Sequence, residues 1–95
     1  MKLETLHDLY VDELKDLYNA ENQLIKALPK MAHAANDPQL RTAFENHLEE
    51  TRGQVHRLEQ IFKKMDASPK GKKCKAMEGL VEEGKQMIEV SGNPA

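Results

Sequence analysis

Four side chains in this sequence carry donor atoms that suit a metal cation and fall among apolar residues at helical spacing: Glu21, His47, Glu50 and Gln54. Glu21 lies among Leu14, Leu17, Leu24, Ile25 and Leu28, and the other three lie among Leu40, Phe44, Leu58 and Ile61. A carboxylate in an apolar stripe needs compensation, because an isolated buried charge is strongly disfavoured. A partner or a metal ion supplies it. Iron(II) and manganese(II) accept carboxylate and imidazole ligands. A Gln amide is a weak, neutral donor and suits a hydrogen bond to a ligand or bound water better. The chemistry in prospect is metal binding, with oxidation of iron(II) by oxygen or peroxide as the ferroxidase- or peroxidase-like reaction such a centre would run.

Helical geometry narrows the set. At about 100° per residue, Glu21 falls about 40° from Leu17 at the centre of its stripe; measured from His47, Gln54 falls about 20° away and Glu50 about 60°. If the two stretches form an antiparallel hairpin turning between Ala35 and Pro38, Glu21 faces position 52. Glu50 and Gln54 bracket that position, each about 3 Å off level, and His47 is about 7 Å off toward the turn. Glu21 and Glu50 are then the best-matched pair. Two carboxylates at one height repel unless a cation or proton lies between them.

Bundles that hold two iron or manganese ions use one Glu from each of two helices, plus Glu-x-x-His from each of the other two. Here Gly53 stands where that His would follow Glu50, leaving Gln54 and His47 as the nearest substitutes. One hairpin supplies half of such a centre. A two-fold homodimer would bring both copies of Glu21 and Glu50 together, so a dinuclear iron or manganese site would be shared between chains. The competing reading is a catalytically silent structural or partner-binding helical module, in which the same residues form a hydrogen-bonded polar layer that sets helix register.

The elements that must position these residues read as three helices. The first is expected over about 5–35, capped by Thr5, with a kink at Pro29, where a backbone donor is missing. Asn36-Asp37-Pro38 reads as a tight turn with Asp37 as N-cap. The second helix, about 38–65, carries the stripe Leu40, Phe44, His47, Thr51, Gln54, Leu58, Ile61 and Met65 at alternating four- and three-residue steps, which is a bundle seam. Asp66 to Pro69 ends it, and Lys70 to Lys73 with Gly71 read as a mobile basic linker. A third helix is expected over about 75–90. No alternating strand pattern occurs, so the class is all-α.

Composition bounds the rest. Ninety-five residues with four aromatics make a single domain with a modest core. A formal net charge of −2 with 32% charged residues argues against general nucleic-acid affinity. No apolar run approaches the roughly 20 residues that span a bilayer, so no membrane partner is expected. One cysteine and no apolar leader give a cytoplasmic expectation and exclude a disulfide framework.

The runs LYVDELKDLYNAENQLIKALPKMAHAA, LRTAFENHLEETRGQVHRLEQIF and KKCKAMEGLVEEGKQMIE together resemble the YciF-type bacterial stress-response proteins of the ferritin-like superfamily. The resemblance covers nearly the whole chain. It implies a ferritin-like helical bundle with a dinuclear metal site, dimeric assembly and a stress role. It also places metal ligands or their close neighbours at Glu21 in NAENQL and at Glu50 with Gln54 in LEETRGQV. Family members run longer, so residues 1–95 correspond to about half of the family domain, with a second helix pair supplying the other half of the site.

Overall fold

A computed structural model describes residues 5–90 and folds them into three helices: α1 (Leu6–Ala34), α2 (Pro38–Met65) and α3 (Lys75–Val90). No strand occurs among the described residues. The all-α hairpin with a short third helix therefore stands as read, with each boundary within a residue of expectation.

Local chemistry explains those boundaries. The Thr5 hydroxyl accepts the Asp8 N–H at 3.0 Å and caps the start of α1. α1 runs on through Pro29 to Ala34. Its last carbonyls are satisfied from the neighbouring helix: the Arg41 guanidinium donates to Ala32 O at 3.2 Å and to Ala35 O at 2.9 Å. Asp37 caps α2 by accepting the Gln39 N–H at 3.0 Å, with Pro38 in the first turn. Asp66, at φ 53° and ψ 44°, takes the left-handed conformation that ends α2. The Ala67 N–H then returns to Phe62 O at 3.0 Å.

α2 lies antiparallel on α1, and its buried line is Thr51, Val55, Leu58 and Phe62. Phe62 is 1% exposed and stands edge-on to Tyr18, with ring centroids 6.1 Å apart. This corrects the seam read from sequence. Thr51 and Leu58 belong to it, but Val55 and Phe62 replace Gln54 and Ile61. Turning α2 by one residue's angle puts two well-shaped apolar groups against α1 instead of an amide, and burial of apolar area decides the rotation.

α3 packs on α1 and not on α2. It runs parallel to α1, since Cys74 meets Asn19 at one end and Gly84 faces Met31 at the other. The chain between α2 and α3 is pinned, contrary to the mobile linker expected. Lys72 pairs with the buried Asp12, the Cys74 N–H donates to Asn19 Oδ1 at 2.7 Å, and Gln23 Nε2 donates to Cys74 O at 3.0 Å. The end of the linker next to α3 is thus tied to one face of α1.

Candidate functional site

α1 and α2 each present a second row beside their buried line. At heptad spacing, Tyr10, Leu17, Leu24 and Met31 form one row on α1, and Leu40, His47, Gln54 and Ile61 form the other on α2. Because the helices run antiparallel from a short turn, Leu24 stands near His47 and Leu17 near Gln54. The seam is open: Tyr10 is 51% exposed, Leu17 46% and Leu40 46%.

Glu21 lies on α1 between Leu17 and Leu24. It is half-buried, yet its Oε2 is enclosed and has no hydrogen-bond partner, the one such side-chain atom among the described residues. A native fold rarely leaves a buried acceptor unpaired, so this atom calls for an explanation. Burial pushes the Glu21 carboxyl above its ordinary value, and electrostatic interaction with His47 pulls against that shift. The structure therefore brings Glu21 and His47 into one electrostatic environment.

His47, Glu50 and Gln54 are all exposed on α2. This corrects their expected inward aim. Measured from the centre of the buried line, His47 is about 50° away, Gln54 about 70° and Glu50 about 110°. Each lies progressively further round toward solvent, because Val55 and Phe62 hold the contact with α1. By angle, His47 is turned nearer to α1 than Glu50 is. No group of three or more His, Cys, Asp or Glu side chains is placed to hold a metal ion among the described residues. The donor chemistry of Glu21 and His47 suits iron or manganese, but two ligands make only part of a coordination shell.

Sequence reasoning missed the polar line on the other side of α1. Asp12, Asp16, Asn19 and Gln23 recur at four-, three- and four-residue steps, the same periodicity that was used for apolar residues. Three of them hold the linker. Asp16 adds negative charge near Lys72, whose pKa is raised first by its hydrogen bond to Asp12. Tyr18 lies between the two sides. Its hydroxyl donates to Glu59 Oε2 at 3.0 Å, and burial, then Glu59, raises its pKa.

Comparison with known proteins places this arrangement in a family. Residues 5–94 match the family described as Domain of unknown function (DUF892). Protein YciF of Escherichia coli (strain K12) is 43% identical over 90 residues, which are 94% of this chain and 54% of that protein. The crystal structure of the E. coli stress protein YciF superposes with a TM-score of 0.85, covering 92% of this chain and 55% of the other at 43% identity. YcfI from Rhodopseudomonas palustris, to which a structural role is ascribed, gives a TM-score of 0.85 at 42% identity, covering 90% of this chain and 55% of its own. The chain spans about half the length of these relatives. With its sequence matched over residues 5–94 and its helical hairpin matched over most of the chain, this chain belongs to the DUF892 family, and the YciF stress protein is its relative.

Proposed function

We propose that this chain supplies half of a dinuclear iron or manganese centre, completed by a second copy in a homodimer. The enclosed, unbonded Glu21 oxygen carries this reading. A cation facing that oxygen would satisfy the acceptor and neutralise the charge that burial disfavours. Glu21 also lies midway along the Tyr10–Met31 row, and Glu50 lies midway along the Leu40–Ile61 row. A two-fold axis through that level would gather two copies of each, the carboxylate count that dinuclear bundles use. Gln54 and His47 would then ligate or orient the carboxylates.

Bound metal would supply redox chemistry toward oxygen or peroxide. The chain's own part is to hold negative charge at Glu21, to set a second polar group across the seam at His47, and to keep water out with Leu17 and Leu24. Such a centre would remove peroxide and free iron(II) together, which suits a cytoplasmic role in stress like that in the name of the E. coli relative.

Native mass spectrometry of the metal-free protein after adding iron(II) or manganese(II) tests this. The expected species is a dimer carrying about two metal ions. A chain that stays metal-free at every ratio overturns the reading. A second reading, a structural helical module without turnover, is favoured by the role ascribed to the R. palustris relative. In that case Glu21→Ala would alter helix pairing or chain count, with metal irrelevant to both.

A further inference from the structure

We infer that the groove between α1 and α3 binds a free long-chain carboxylate, its acyl chain along the floor and its anionic head between Lys30 and Lys85. The groove has a volume of about 870 Å³. That lies within the roughly 300–1,000 Å³ of small-molecule sites. Ala27, Met31, Ala34, Val81 and Ile88 give it an apolar floor. Ala27 and Ala34, seven positions apart on one face of α1, leave space that α3 does not fill. The lining runs along α1 from Gln23 to Ala34, about 16 Å, so the space is elongated.

The rim is basic. Lys26, Lys30 and His33 line its α1 side and Lys85 its α3 side, with Glu89 the one acid among the lining residues. The ion pairs of the described residues, Arg52–Glu49, Lys72–Asp12 and Lys73–Glu78, involve none of these lysines. Two contacts set the register of α3 on α1: Cys74 meets Asn19, and Gly84 faces Met31. Counted from either, Lys85 comes level with position 30 or 32, so Lys30 and Lys85 flank the groove within about 3 Å of one level. Like charges across a gap favour an anion between them. The apolar floor beside them favours an anion that carries a hydrocarbon tail. An inorganic anion would use the rim and leave the floor in water, and a neutral hydrocarbon would do the opposite. The groove also opens away from the seam. Around α1, Lys26 and His33 lie about 180° from Leu17 and Leu24, so a covering over those leucines leaves this rim in solvent.

Calorimetric titration with dodecanoate, kept below its critical micelle concentration and in EDTA, tests the site without any metal. The parent should bind one dodecanoate per chain, and hydrogen exchange across residues 75–90 should slow as it does. Butyrate, which keeps the head and lacks the tail, should give no measurable heat. Lys30→Gln with Lys85→Gln, both exposed positions, should weaken binding at least about tenfold, or about 1.4 kcal/mol. Lys63→Gln with Lys64→Gln removes the same charge from the far end of α2 and should leave the affinity unchanged. A parent that binds no dodecanoate, or that binds butyrate equally well, overturns the site. So does equal affinity in the parent and the Lys30→Gln, Lys85→Gln variant at unchanged helix content, or equal weakening by both lysine pairs. Flotation with phosphatidylglycerol vesicles separates the free acid from a lipid surface. A chain that floats with the vesicles and ignores monomeric dodecanoate reads a membrane surface, and the proposal falls.

Discussion

Asn19 accepts the Cys74 backbone N–H at 2.7 Å, and this bond fixes where α3 begins along α1. The same Asn19 oxygen takes a second hydrogen bond, from Gln23 Nε2 at 2.8 Å, while Gln23 also donates to Cys74 O. One amide pair thus satisfies both backbone groups of a buried residue just before a helix.

Removing that clamp should loosen α3 without melting the hairpin. Asn19→Ala leaves the Cys74 N–H without its partner, a loss of about 1–3 kcal/mol for a buried donor. α3 packs on α1 alone, so the cost falls on its docking. Hydrogen exchange should accelerate across residues 75–90, while the amides of α2 keep their protection. Uniform acceleration over all three helices would show that α3 and the hairpin unfold as one unit.

Phe62→Ala should have the larger and more global effect. Phe62 is the largest fully buried side chain among the described residues, and its ring stands edge-on to Tyr18. Truncating a buried Phe costs about 3–5 kcal/mol. Small domains hold only about 5–15 kcal/mol in total. The thermal transition followed by circular dichroism should fall steeply or lose its cooperativity. An unchanged midpoint would mean that the core lies elsewhere.

Tyr18 makes stability depend on alkaline pH. Its folded pKa is raised above the ordinary 10.0, first by burial and then by Glu59. The folded state therefore binds the phenol proton more tightly than the unfolded chain does. Stability from this group is complete below 10.0 and falls as pH climbs through the folded value. In a Tyr10→Phe background, absorbance should report a single tyrosine titrating above its ordinary value. Adding Glu59→Gln should move that titration down part of the way, because burial remains.

Sequence periodicity located the helices well because caps and breakers mark their ends. Thr5, Asp37, Pro38 and Asp66 each act within a turn of their own position, so local chemistry suffices. It located α2's buried face less well. Two stripes run along α2 side by side, one through Gln54 and Ile61 and one through Val55 and Phe62, and both have bundle spacing. Only packing against α1 chooses between them. Glu21 was legible as an inward acid because its neighbours at three- and four-residue steps, Leu17, Leu24 and Ile25, are all apolar. Glu50 was not legible as exposed, since its angle depended on the stripe chosen. The linker's anchoring was hidden for another reason: Lys72 and Asp12 are 60 positions apart, and nothing local to either announces the pair.

Glu21→Leu separates a residue kept for stability from one kept for a ligand. In the metal-free protein the substitution removes an enclosed acceptor without a partner and extends the apolar row between Leu17 and Leu24. The cost of such an acceptor is about 1–3 kcal/mol, and the lower end applies because Glu21 is only half-buried. The variant should therefore melt about 4–8 °C higher, the shift that about 1 kcal/mol gives a domain of this size. Scanning calorimetry in EDTA measures that directly. With iron(II) or manganese(II) present, the order should reverse, since ligand bound only to the folded state raises the parent's midpoint and not the variant's. A variant that melts lower than the parent in EDTA would show that Glu21 already has a stabilising partner within the protein, and the case for an external cation at that oxygen would fall with it.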